Sequence, residues 1–121
     1  MRPPLPALAL LLAAGPALAH ESGGQHGGRI ADAGPYHLEL VTRDATVELY
    51  ILDGRAKPLP AAGFKGRATL VADGKAARIP LAPSEDGSRL TGQAGSPLPA
   101  RPKGAVQVTA PDGATATGTF N

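Results

Sequence analysis

Three histidines lie close together near the start of this 121-residue chain, and they are the side chains best suited to chemistry. They are His20, His26 and His37, and no histidine follows them. Imidazole is the commonest metal ligand in proteins, and short His-rich tracts are typical of metal-binding segments. The cluster therefore indicates a transition-metal site formed by the early part of the chain.

A carboxylate accompanies the third histidine. In residues 36–40 (YHLEL) polar and apolar residues alternate, which predicts a β-strand. His37 and Glu39 are two residues apart, so their side chains point to the same face of that strand. An imidazole beside a carboxylate is half of a site for Zn²⁺ or Cu²⁺. The alternative is an ordinary polar face turned towards water.

The other two histidines precede this strand. His26 is followed by Gly27 and Gly28, which allow the backbone to approach closely, so His26 could fold back beside His37. A mature chain that begins at His20 would offer its α-amine and its imidazole to one copper ion, and nitrogen-rich sites favour Cu²⁺ over Zn²⁺. The alternatives are an incidental histidine in a linker and cleavage at another residue. The candidate metal ligands are His20, His26, His37 and Glu39.

Residues 1–19 have the pattern of a secretory signal peptide. Arg2 supplies the positive start, an apolar run follows, and Ala17-Leu18-Ala19 is a small-residue cleavage site. The apolar run is shorter than the roughly 20 residues of a membrane anchor, and the chain has no cysteine for lipid attachment. We therefore expect cleavage after Ala19 and a periplasmic protein that is not inserted in the membrane.

The remaining pattern predicts one all-β domain. Residues 20–28 (HESGGQHGG) are expected to form a flexible His/Gly-rich arm, and residues 29–121 a single domain. Asp-Gly pairs at 53–54, 73–74 and 112–113 are typical of tight turns, and no window of the mature chain has a helical apolar stripe. We predict a small antiparallel β-sandwich or Greek-key barrel of about 6–8 short strands. The expected core residues are Leu38, Leu40, Val47, Leu49, Ile51, Leu70, Ile79, Leu81, Leu90, Val106 and Val108.

Several functional classes are not indicated. No serine lies in a G-x-S-x-G motif, and the acidic residues have no spacing that singles out an acid–base pair, so no enzyme is predicted. The basic residues are scattered along the sequence and only four aromatic residues are present, which argues against nucleic-acid binding. A solvated surface accounts for five acidic residues outside the histidine region: Asp44, Glu48, Asp53, Glu85 and Asp86.

Four stretches together resemble a known periplasmic module. They are residues 26–41 (HGGRIADAGPYHLELV), 47–53 (VELYILD), 57–59 (KPL) and 66–69 (GRAT). The combination is similar to small exported proteins of Gram-negative bacteria and to the N-terminal extension of some periplasmic adaptor (membrane fusion) subunits of heavy-metal efflux pumps. The resemblance covers residues 26–81.

The resemblance implies a β-rich periplasmic domain that handles transition metals, with His26, His37 and Glu39 at corresponding positions. Where many relatives have a further histidine, after the aspartate that ends a strand, this chain has Gly54. A looser similarity, based on His20 and chain size, links it to periplasmic copper-resistance carriers.

The sequence therefore predicts a non-enzymatic copper- or zinc-binding protein that serves as a metal chaperone or buffer beside an efflux system. Its affinity is expected to fall below about pH 6.5, where imidazoles become protonated. The alternative is a periplasmic interaction module that binds no metal and docks through β-strand edges. A copper-dependent oxidase acting on polysaccharides is disfavoured, because four aromatic residues cannot form a broad binding surface.

Overall fold

Nine β-strands and no helix make up residues 23–121, the part of the chain that the computed structural model describes. The predicted signal peptide and His20 lie outside these residues. None of the described residues forms an apolar helix of membrane-crossing length. The strands are β1 (Arg29–Ala33), β2 (Tyr36–Arg43), β3 (Thr46–Leu52), β4 (Pro58–Leu59), β5 (Lys65–Ala72), β6 (Lys75–Pro83), β7 (Leu90–Gln93), β8 (Lys103–Thr109) and β9 (Thr115–Phe120).

The strands form one antiparallel sheet that curls until it is nearly a barrel. Their order is β1-β2-β3-β7-β6-β5-β8-β9, and the two-residue strand β4 pairs with β3. The sheet has two halves, β1-β2-β3-β7 and β5-β8-β9, and strand β6 joins them. Residues 75–81 of β6 pair with β5, whereas Ala82 and Pro83 pair with β7. The predicted all-β, antiparallel class is confirmed, and the short β4 brings the number of strands to nine.

The core is aliphatic, as the alternating pattern predicts. Every residue expected in the core is buried there. Two aromatic residues that the pattern did not single out, Phe64 and Phe120, are buried as well. The Tyr36 ring packs edge-on against Phe64 with centroids 5.6 Å apart. Aliphatic side chains from both halves of the curled sheet therefore share one interior.

The first and last strands of the sheet meet without a hydrogen-bonded ladder between them. A Cβ on Gly118 of β9 would lie 3.3 Å from the carbonyl oxygen of Asp32 on β1, so the two strands approach closely. Arg29 donates hydrogen bonds to the carbonyl oxygens of Pro102, at 2.7 Å, and of Asn121, and its guanidinium lies 5.7 Å from the centre of the Phe120 ring. Side chains and close packing thus complete the barrel wall.

Tight turns join neighbouring strands. Asp73 and Gly74 have φ of 56° and 75°, which suits the predicted two-residue hairpin turn between β5 and β6. The predicted turn at Asp112-Gly113 is also present, and it joins the antiparallel strands β8 and β9. A further turn at Asp44-Ala45 joins β2 to β3, and Asp44 has φ of 61°, a conformation that aspartate tolerates better than most residues.

The loop between β6 and β7 depends on one carboxylate. Oδ1 of Asp86 accepts hydrogen bonds from the hydroxyls of Ser84 and Ser88 and from the Ser88 backbone N–H. The Ser84 hydroxyl contributes most and the two Ser88 groups follow, and together they lower the pKa of Asp86 to about 2. This exposed carboxylate therefore stabilises the folded state in its ionised form.

We expect Asp86→Asn to remove part of the acid sensitivity of folding. Because the folded-state pKa is depressed, the stabilisation is complete above about pH 4 and is lost as pH falls towards 2. The free energy of unfolding of the two proteins, measured in urea between pH 2 and 5, should differ at pH 5 and converge near pH 2. Other carboxylates are common to both proteins and cancel. A difference that stays constant over this range would contradict the assignment.

Candidate functional site

The candidate functional side chains lie on the outer face of β1, β2 and β3. Leu38 and Leu40 point into the core, so His37 and Glu39 share the opposite, outward face of β2, as predicted from their spacing. In the strand register Asp32 of β1 lies beside His37, and Tyr50 of β3 lies beside Glu39.

Glu39 is on the outward face and yet is buried. Only 1% of it is exposed. Oε2 accepts hydrogen bonds from the backbone N–H groups of His26 and Gly28, each at 2.8 Å, and Oε1 accepts one from Nδ1 of His26, also at 2.8 Å. Both carboxylate oxygens are therefore used to hold the segment that contains His26.

That segment is a closed turn over β2. The N–H of Gly24 donates to the carbonyl of Gly28 at 2.8 Å, that of Gly27 donates to the carbonyl of Gly24 at 3.1 Å, and Gly23 forms a bridge with Arg29. Residues 23–28, the described part of the predicted arm 20–28, are hydrogen-bonded within themselves and to Glu39. The glycines make this possible, because a Cβ on Gly24 would overlap the Glu39 carboxylate.

His26 is fixed on two sides. Its ring stacks on Tyr50, with centroids 3.6 Å apart and an interplanar angle of 4°. Burial raises the pKa of Tyr50, and the nearby Glu48 carboxylate adds to the effect, so the phenol under the imidazole stays neutral. The side chain of His26 remains 38% exposed. Stacking on Tyr50 thus sets the plane of the imidazole ring, and the hydrogen bond to Glu39 sets the orientation of the ring within that plane.

His37, the outward residue that precedes Glu39 on β2, also places its Nδ1 beside a carboxylate. Its Nδ1 lies 2.8 Å from Oδ1 of Asp32, and the side chain of Asp32 is 80% exposed. The pair follows from the β1–β2 hairpin, in which Gly34 and Pro35 form a two-residue turn and place Asp32 opposite His37.

These contacts decide which imidazole nitrogen remains available. A carboxylate only accepts hydrogen bonds, so Nδ1 of His26 and Nδ1 of His37 must both carry hydrogen. In the neutral imidazole the lone pair is then on Nε2, which can bind a cation. No group of three His, Cys, Asp or Glu residues within residues 23–121 is close enough to enclose a metal ion. The structure therefore brings His26 and Glu39 together, pairs His37 with Asp32, and does not describe His20.

The sequence reasoning missed Asp32 and Tyr50. For Asp32 the available signal was Gly34-Pro35 directly before the alternating stretch 36–40, which fixes the hairpin register once a turn is placed there. For Tyr50 the signal was weaker: alternation in β3 predicts its outward face, but its partner is set by the register with β2.

Glu48, which we expected on a solvated surface, is also buried. It lies on the same outward face, and only 9% of it is exposed. Its two oxygens contact Nε of Arg43 at 3.2 Å and Nε of Arg89 at 3.3 Å. Two guanidinium groups thus neutralise this carboxylate, so it is not free to serve as a metal ligand.

Comparisons of the chain with protein-family models, with curated proteins and with solved structures find no match. The similarity to efflux adaptor extensions therefore stays a prediction from the sequence, and the geometry of the outer face is the basis for assigning a function.

Proposed function

We propose that this protein is a periplasmic transition-metal-binding protein that serves as a metal chaperone or buffer beside an efflux system. Nε2 of His26 and Nε2 of His37 bind Cu²⁺ or Zn²⁺, and His20 supplies further nitrogen. Glu39, which we first considered a ligand, holds the His26 ring instead, because both of its oxygens accept hydrogen bonds from the turn.

One observation supports this proposal above the others: two imidazoles on one strand face each present Nδ1 to a carboxylate. Metal-binding histidines almost always donate their second ring N–H to a carboxylate, carbonyl or water, because that bond fixes the tautomer and makes the ligating nitrogen more basic. His26–Glu39 and His37–Asp32 both have this form. Along β2, His37 lies about 6.6 Å from Glu39, the residue whose carboxylate contacts His26.

The ligand type favours copper. Neutral imidazole suits both Cu²⁺ and Zn²⁺, but the general affinity order for divalent metals places Cu²⁺ above Zn²⁺. A site with few side-chain ligands and partly exposed imidazoles suits a protein that must release its metal to a partner. A component of a heavy-metal efflux system is the partner that agrees with the sequence resemblance.

Titration with Cu²⁺ and Zn²⁺ tests the proposal. The double variant His26→Gln/His37→Gln should bind Cu²⁺ at least 100-fold more weakly than the parent protein, because both proposed imidazole ligands are lost. Competition with a chromophoric chelator gives the dissociation constants, and circular dichroism verifies that the variant is folded. Equal affinity in parent and double variant would overturn the metal assignment and leave docking through β-strand edges as the better hypothesis.

Asp32→Asn gives a sharper test, because this residue is exposed and its replacement should not disturb folding. An asparagine can still accept a hydrogen bond from Nδ1 of His37, but it lacks the negative charge that makes the imidazole more basic. Outer partners of metal-bound histidines typically contribute 10–100-fold in metal affinity, and we expect a loss of about 10-fold. Glu85→Gln, an equally conservative change at an exposed carboxylate outside β1–β3, serves as the matched control and should leave the affinity unchanged.

A further inference from the structure

Four cations that are scattered in the sequence share one outer face of the sheet. Lys65 and Arg67 lie on β5, Arg78 on β6 and Lys103 on β8, and all four are exposed. In the register Thr69 of β5 lies beside Arg78 on one side, and Val71, two residues further on, lies beside Lys103 on the other. These four side chains, which we call the basic face, thus come from three adjacent strands.

No carboxylate interrupts the basic face. The outward residues of β5, β6, β8 and β9 include no Asp or Glu, and Asp73, Glu85, Asp86 and Asp112 lie in the turns and loops that follow these strands. Every salt bridge found within residues 23–121 involves the histidines, Arg43 or Arg89. The four cations of the basic face therefore keep their charge available to a partner. The other outward residues of these strands are Thr69, Val71, Ala76, Pro80, Ala82, Ala105, Gln107, Thr109, Thr115, Thr117 and Thr119.

The shape of the surface narrows the choice of partner. It is the face of a β-sheet, residues 23–121 contain no helix that could enter a nucleic-acid groove, and no aromatic residue on this face could stack on a base. Val71 is 44% exposed, the only large hydrophobic residue so exposed among residues 23–121, and it lies next to Lys103. A broad basic surface with an exposed aliphatic side chain fits an extended layer of negative charge better than it fits a single linear polyanion.

We propose that the basic face binds peripherally to an anionic phospholipid bilayer surface. Cationic side chains at such a surface each contribute about 1 kcal/mol, which corresponds to a factor of about five in partitioning. The attraction is screened over about 10 Å at 0.1 M salt, so binding is expected to be strong at low ionic strength and weak at high ionic strength. The proposal is independent of metal binding, because His37 lies on β2 and His26 on the turn before β1.

Co-sedimentation with vesicles tests this surface. The full chain should bind vesicles of phosphatidylcholine with 30% phosphatidylglycerol more strongly than vesicles of phosphatidylcholine alone. The variant Arg67→Gln/Arg78→Gln/Lys103→Gln should reduce the partition coefficient on the anionic vesicles by about 100-fold at 20 mM salt, from roughly a factor of five for each cation. Binding to the neutral vesicles measures the contribution of the apolar N-terminal segment, which is the same in all variants.

The matched control removes the same charge from another surface. Arg55→Gln/Lys57→Gln/Arg101→Gln also lowers the net charge by three, at exposed positions outside β5, β6 and β8. It should retain most of the binding if the basic face is the contact surface. An equal loss in both triple variants would show that only net charge matters and would overturn the proposal. Retention on a polyphosphate column without binding to anionic vesicles would also overturn it, in favour of a linear polyanion.

Discussion

Glu39→Ala is expected to lower the free energy of unfolding by about 3 kcal/mol. The change removes the acceptor for two backbone N–H groups and one imidazole N–H, and the N–H of Gly28 is buried and donates to Glu39. A buried donor left without an acceptor costs about 1–3 kcal/mol, whereas half-exposed His26 can be hydrated instead. Urea-induced unfolding followed by far-UV circular dichroism measures the difference.

Two further variants define what Glu39 does. Glu39→Gln keeps the size of the side chain but offers an NH₂ group where donors already converge, so it should also be less stable than the parent. Glu85→Ala removes an exposed carboxylate from the loop between β6 and β7 and should change the free energy of unfolding by less than about 0.5 kcal/mol. If Glu39→Ala were as harmless as Glu85→Ala, the turn would not depend on this carboxylate.

Gly28→Ala is expected to cost about 3 kcal/mol or more of folding stability, and to displace the turn from β2. A Cβ at this position would overlap the carbonyl oxygen of Leu40 and lie 2.7 Å from Cγ2 of Val41. The first obstacle is the backbone of β2, which is paired on both sides and cannot move aside without disturbing the sheet. The N–H of Gly28 would then leave Glu39, and amide hydrogen exchange at Gly28 should become much faster.

The matched control Gly54→Ala separates the effect of steric overlap from the effect of lost glycine flexibility. Gly54, like Gly28, does not have a positive φ, but the nearest atom to its Cβ position is the carbonyl oxygen of Pro35 at 3.7 Å. Gly54→Ala should therefore be neutral, or up to about 1 kcal/mol more stable through reduced freedom of the unfolded chain. If Gly54→Ala and Gly28→Ala were destabilised to a similar degree, the cause at Gly28 would be backbone conformation rather than steric overlap.

The fold was predictable because each strand is specified locally. Alternation in residues 36–40 and 46–52 and the Asp-Gly turn at 73–74 required no knowledge of distant contacts, and the predicted core residues are buried. Strand β1 was missed since its five residues, RIADA, are few and do not alternate polar with apolar residues: the outward pair is Ile30 and Asp32, and Arg29 shares the inward side with two alanines. The order of strands depends on contacts between distant segments, which local pattern does not encode.

The candidate site was predictable only in part. Spacing placed His37 and Glu39 on one face, but polar residues on an outward face are normally solvated, and the burial of Glu39 arises because a separate turn covers it. The same limit explains Glu48 and the basic face. Arg78 and Lys103 are 25 residues apart in sequence, and they approach one another only because β6 and β8 flank β5.

The stack of His26 on Tyr50 has an optical consequence. The chain contains no tryptophan and two tyrosines, so its tyrosine fluorescence comes from Tyr36 and Tyr50. One of these two fluorophores lies directly beneath the imidazole, while the other packs against Phe64. The fluorescence of Tyr50 should therefore report whether the glycine-rich turn is packed on β2 and β3, without an attached dye.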